Sequence, residues 1–236
     1  MVNFRNMRLQ NMSYNKNKCD PELGKAVQAH LEKLGLHTPM STNTLNAKQK
    51  IAKIEKHMQG IMQTLGLDLT DDSLIETPIR VAKMYVNEVF WGLDPEAFPK
   101  CTAVDNKISY DEMVVEEDIT VMSNCEHHFV TIDGFATVAY LPNKKVLGLS
   151  KMNRIVEYFS KRPQIQERLT VQIAEALKFI LDTEHVAVLI NASHYCVKSR
   201  GVEDTNSHTI TSHLSGKFRE DALVRGEFMA LATRRK

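Results

Sequence analysis

The sequence predicts an α+β fold in which an antiparallel sheet, covered on one face by two helices, follows an all-helical first half. Three observations predict it. Apolar residues recur at helical spacing through the first hundred residues, and the pattern changes to period two after Lys100. The later elements then run strand, strand, helix, helix, strand, strand. The expected divisions are a disordered or partner-ordered tail over residues 1–20, a helical region over 21–100 and a sheet-bearing domain over 101–236.

Composition narrows the classes. A chain of 236 residues, 43% hydrophobic, can bury a sizeable core. Lys and Arg total 30 against 29 for Asp and Glu, so no global field recruits nucleic acid or an anionic membrane. Any anion must be caught locally. Four cysteines without regular spacing fit reduced thiols. No apolar run approaches the ~18 residues of a membrane span, and the N-terminus lacks the apolar core of a secretory signal. A cytoplasmic protein is expected.

The first helix is announced by Asp20-Pro21-Glu22, an N-cap, a first-turn proline and an acid, and ends at Gly35. Leu23, Val27, Leu31 and Leu34 form its stripe. A second helix runs from about Asn46 to Leu65, with Ile51, Ile54, Met58, Ile61 and Met62 on one face and Gly66 as its stop. Thr77-Pro78 opens a third, through Val81, Met84, Tyr85 and Val89, with Arg80 in its first turn, where a cation opposes the helix dipole unless it binds an anion. Met113–Met122 and Phe129–Tyr140 alternate as strands. Ser150 is the expected cap of a helix to about Ser160, Arg162-Pro163 breaks it, and Gln164–Leu181 forms the next. His185–Val197 is the third strand, Thr205–Phe218 the fourth, and Arg219–Arg234 a terminal helix.

The chemistry concentrates at Cys125-Glu126-His127-His128, in the connection between the first two strands. Thiolate and imidazole are preferred zinc ligands, and Cys125-x-x-His128 can place both on one ion. A third donor is available at His194-Tyr195-Cys196, whose outer members share a face if the strand continues through them. Either pair alone has a bland reading, a chance turn or a buried strand cysteine; together they favour a metal. Three donors with an open position make a catalytic site, whereas His127 or His194 as a fourth would close a structural one. Lys151 and Arg154 share a face at a helix start, and Lys198 and Arg200 follow Cys196. Singly these are solvated charges, but jointly they suit a polyphosphate. Glu167 beside Gln166 offers a carboxylate to paired N–H groups of a guanine-like edge.

Five motifs in order extend this pattern: Thr77-Pro78-x-Arg80, Cys125-Glu-His-His-Phe129, Gly148-Leu-Ser-Lys151-x-Asn-Arg154, Arg162-Pro-Gln-x-Gln-Glu167-Arg-Leu169 and His194-Tyr-Cys196-x-x-x-Arg200-Gly201. With them the chain resembles GTP cyclohydrolase I from about residue 20 to 234. The resemblance implies a tunnelling-fold catalytic domain with a helical extension, assembled as a homodecamer of two pentameric rings with active sites at subunit interfaces. It implies conversion of GTP and water to 7,8-dihydroneopterin triphosphate and formate, the first step towards tetrahydrofolate, one-carbon metabolism and other pterins. Carried onto this chain, Cys125, His128 and Cys196 bind zinc, and His127 and His194 transfer protons. Ser150 lies by the ribose, Glu167 and Gln166 hold guanine, and Arg80, Lys151, Arg154 and Arg200 engage the triphosphate. The stretch Asn206–His213 departs from the family's plainer run, and its two histidines are expected to be surface or interface variation.

Overall fold

The computed structural model describes residues 14–234, so residues 1–13 of the expected tail and the last two residues lie outside the described part. Two compact units emerge among the described residues, one of residues 14–16 and 39–91, the other of residues 17–38 and 92–234. Helix α1 (Pro21–Lys33) belongs to the second unit, whereas α2 (Ala47–Thr64) and α3 (Thr77–Met84) build the first.

The helix starts obey their local chemistry. The Asp20 carboxylate accepts from Leu23 N at the head of α1, and Gly35 takes a positive φ of 69° at its end. Asn46 and Gln49 form a reciprocal capping box on α2. The third helix is shorter than its pattern suggests, because the backbone widens into a π-helical turn over Tyr85–Val89. Arg80 is exposed on α3 and pairs with Glu76 at 2.6 Å, so the acid of the preceding turn offsets the misplaced cation.

The second unit holds the sheet. A short ribbon pairs β1 (Ala103–Asp105) with β4 (Lys145–Leu147), and neither strand shows in the sequence pattern. The main sheet contains β2 (Val114–Cys125), β3 (Thr131–Tyr140), β5 (Pro163–Gln164), β6 (Val186–His194) and β7 (Thr209–Leu214), in the order β5-β2-β3-β6-β7. Its four long strands are antiparallel, as expected. The two-residue β5 adds a parallel edge, where Cys125 registers with Gln164. A bulge between Glu116 and Ile119, with Asp118 at a φ of 55°, bends β2.

Helices α4 (Leu149–Ser160) and α5 (Gln166–Leu181) cover one face. Ile155 and Phe159 of α4 and Leu169, Ile173 and Leu177 of α5 are fully buried, as are Ala136, Val138, Val188 and Ile190 of the sheet. The opposite face is covered too, at one end. There Ala139, Ala187 and Leu189 pack against Phe218 and Phe228, from the short helix α7 (Lys217–Glu220) and the terminal α8 (Ala222–Ala232). The single covered face of the sequence reading is thus corrected, because period-two strands carry apolar residues on both sides at that end.

Three other boundaries move. Ser150 is not the cap of α4: Gly148 occupies that position and Ser150 lies inside the first turn. Gln164 belongs to β5, and α5 begins at Gln166. The third strand stops at His194, and Tyr195–Lys198 coil into a helical turn, α6. The shared strand face of His194 and Cys196 therefore does not exist.

Candidate metal centre and nucleotide site

The Cys125 loop is closed by its own backbone. Cys125 N donates to Val130 O at 2.8 Å and Phe129 N to Cys125 O at 2.8 Å, with Phe129 at a φ of 54°. Glu126 N reaches Gln164 O at 3.0 Å, which ties the loop to β5. The Glu126 carboxylate completes the attachment by receiving both Arg168 guanidinium nitrogens, at 2.5 and 3.3 Å. That hydrogen-bonded guanidinium holds Glu126 below the usual carboxylate range, against the opposing effect of burial. The odd member of the Cys-Glu-His-His run is thereby explained as an anchor to α5.

From the other side, β6 ends at His194 and the α6 turn carries Cys196 back towards the loop. Cys125, His128 and Cys196 each offer a donor atom, all within 4.8 Å of one another. Tetrahedral zinc would set donor separations of roughly 3.3–3.8 Å, so small shifts close the group on one ion. Burial first, then the neighbouring Cys125 thiol, raises the Cys196 thiol pKa. Two thiols this close disfavour thiolates until a cation joins them. Among the described residues this group holds three donors and no fourth.

Around the donors lie the proton-transfer and anion candidates. His127 Nδ1 is 3.5 Å from Cys125 Sγ. Arg200 Nη1 lies 2.9 Å from His128 Nε2 and donates to it, so one expected phosphate ligand already stands at the metal group. His194 Nε2 meets Gln166 Oε1 at 2.7 Å. Burial lowers the His194 pKa, and the charge of Glu167 opposes the shift. Glu167 itself is exposed in the first turn of α5.

The structure thus brings together Cys125, His127, His128, Cys196 and Arg200, and pairs His194, two residues before Cys196, with Gln166. Ser150 is exposed and Lys151 and Arg154 half-buried at the head of α4. Both cations act electrostatically on Cys101, whose thiol burial pushes up to about 12. Among the described residues, neither cation nor Ser150 shares a hydrogen bond or ion pair with the donor group. Arg80 belongs to the other unit.

Sequence reasoning missed the Glu126–Arg168 pair and the contacts of β7. Thr209 O and Thr211 Oγ1 accept from Gln166 Nε2 at 2.9 and 3.1 Å, inside the stretch assigned to variation. His208 is exposed, as expected, with its Nδ1 3.1 Å from Ser193 Oγ. His213 corrects the same reading, because its side chain is only 18% exposed and turns towards Glu175 at 3.8 Å. Alternation along β7 was the available signal: Thr209, Thr211 and His213 fall on one face.

Fold and donors together define an α+β protein with a Cys-His-Cys group, able to hold a metal ion, at the end of its sheet. Comparison with known proteins specifies it further. The family model for GTP cyclohydrolase I matches residues 54–233. A protein of Aeromonas salmonicida named GTP cyclohydrolase 1 is 59% identical over 203 residues, covering 86% of this chain and 93% of its own. Relatives of the same name from Tolumonas auensis and from Shewanella sp. (strain ANA-3) are 57% and 55% identical, over 87% and 88% of this chain and 95% and 96% of theirs. The chain belongs to the GTP cyclohydrolase I family.

Proposed function

We propose that the chain converts GTP and water to 7,8-dihydroneopterin triphosphate and formate, with zinc held by Cys125, His128 and Cys196. The observation that carries this reading is the convergence of those three donors beside His194 and the head of α5. Two thiols and an imidazole suit zinc, and a three-donor set leaves a position for water. Zinc bound there supplies a Lewis acid that brings the pKa of coordinated water towards ~7.

The chain's own residues do the rest. Glu167 accepts the N–H groups of the guanine edge and so orients the purine. His194 delivers a proton to N7 and His127 moves the second, which suits imidazoles able to give or take a proton near neutrality. Water adds at C8, the five-membered ring opens to a formamide, and a second hydrolysis releases C8 as formate. The freed amine and the rearranged ribose, beside Ser150, then close the pterin ring. Arg80, Lys151, Arg154 and Arg200 hold the triphosphate, helped by the N-terminus of α4.

Assembly completes the site in this reading. Lys151, Arg154 and Ser150 reach the donors from neighbouring subunits of a homodecamer. The open sheet face supports self-association: Phe135 and Ile210, both registered to Asn191, are 55% and 60% exposed. The proposed place is the cytoplasm, in the supply of folates and related pterins. No described helix is long and apolar enough to cross a membrane.

The test is incubation of the full chain with GTP, following formate and, after oxidation, pterin fluorescence. Both products are expected in equal amounts, lost with a chelator and restored by zinc. No formate from the zinc-restored protein would overturn the reading. Formate without pterin would overturn its second half.

A further inference from the structure

Gln166 is 1% exposed, and its whole side-chain amide is engaged within the chain. One end lies 3.1 Å from Ile190 O, 2.9 Å from Thr209 O and 3.1 Å from Thr211 Oγ1. Carbonyl oxygens only accept, so this end is the NH2. The hydroxyls agree. Thr170 Oγ1 donates to Gln166 O at 2.8 Å, so its 2.7 Å contact with Thr211 must use the Thr211 hydrogen. Thr211 Oγ1 is then left to accept from Gln166. The other end of the amide is therefore the oxygen, and it faces His194 Nε2 at 2.7 Å. An amide oxygen cannot donate, so Nε2 must carry the hydrogen.

We propose that Gln166 is a positioning residue rather than a guanine ligand: its amide, locked by β6 and β7, holds His194 as the Nε2–H tautomer and leaves Nδ1 as the proton-transfer atom. The inference rests on His194 acting in the reaction proposed above, and it changes what Gln166 does there. No N–H of the Gln166 side chain remains for a purine, since two hydrogens already serve three acceptors. Thr211 becomes a strut one step further out, because it completes the acceptor set that fixes which way the amide points.

The experiment compares Gln166→Met and Thr211→Val with the unaltered full chain, using formate release from GTP for kcat and KM. Zinc content and thermal unfolding are measured on each protein. Methionine keeps the volume and offers Nε2–H only a weak thioether acceptor in place of the amide oxygen. Loss of a partner that orients a metal-bound histidine typically costs about 10–100-fold, and Gln166→Met, which removes the same kind of orienting contact from His194, should lose a similar factor in kcat with KM changed by less than about twofold and zinc retained. Thr211→Val should shift kcat in the same direction by a smaller factor, again without moving KM, and it serves alone if the methionine variant does not fold. A raised KM with kcat kept would assign Gln166 to guanine and overturn the proposal, as would unchanged kcat in both variants. An unaltered chain that releases no formate overturns the activity itself, which separates the two failures.

Discussion

Two polar groups of the sheet unit each contain histidine, yet among the described residues only one forms a candidate metal group. At the first, Cys125, His128 and Cys196 point at a common centre, with donor atoms no more than 4.8 Å apart. At the second, Glu175 lies between His30 and His213, with Nε2 atoms 3.7 and 3.8 Å from separate carboxylate oxygens. Lys178 also approaches Glu175 at 3.1 Å. Both histidine nitrogens there are buried without a hydrogen-bond partner among the described residues. The second group offers no soft donor, and its one carboxylate is already engaged by the Lys178 ammonium. The first places soft donors where only a cation can relieve their crowding. Donor type and convergence, not histidine count, separate a metal centre from a buried polar knot.

The strongest way to break this contrast is to remove a donor from the first group. Cys196→Ser should abolish stoichiometric zinc binding and reduce formate release by more than the ~10–100-fold of an outer-partner loss. Serine oxygen is a poor substitute for thiolate. Zinc measured by atomic absorption after dialysis and formate release from GTP are the readouts. Zinc retained at one per chain together with the unaltered rate would remove Cys196 from the ligand set.

How much of this was legible in the sequence depends on whether a residue acts through its local pattern or through the fold. The α1 and α2 starts were written in Asp20 and Asn46, whose side chains cap within three residues of themselves. The three metal donors were legible because thiol and imidazole are rare and chemically distinctive. The end of β6 was not legible, since His194, Tyr195 and Cys196 fit a strand as well as a turn, and tertiary closure of Cys196 onto Cys125 decides. Arg162 stood in a motif, yet it is buried and its guanidinium lies over Tyr158 and Phe159, 4.6 and 4.8 Å from the ring centroids. Gln166 and Glu126 were visible only as neighbours of more conspicuous residues. Their partners, His194 and Arg168, come from separate elements, and only the folded chain pairs them.

A smaller effect is expected at the second group, on stability rather than chemistry. Glu175→Gln removes the charge that Lys178 shares between Glu175 and the exposed Glu184, the latter at 2.8 Å. The cost should be about 1.5–3 kcal/mol, the range for a hydrogen bond to a charged group, with zinc content unchanged. Denaturant unfolding measures it. Loss of zinc in this variant would show that the two groups are not independent.

The smallest effect separates the groups by pH. Burial lowers the His213 pKa from its ordinary 6.5. Glu175 of α5 opposes that shift, while Lys178 of α5 and Arg219 of α7 add to it. His30 of α1 faces the same carboxylate. The unfolded chain therefore binds a proton at His213 at a pH where the folded chain does not. By linkage, stability rises with pH wherever the unfolded state holds more protons. The contribution of neutral His213 is fully present above 6.5 and declines as pH falls from 6.5 towards the lowered folded value. His213→Gln cannot charge, so its thermal midpoint should fall less than that of the unaltered chain between pH 7.5 and 5.5. A larger fall in the variant would mean that His213 is held protonated against Glu175, and the knot would then be an ion pair rather than a buried neutral imidazole beside a carboxylate.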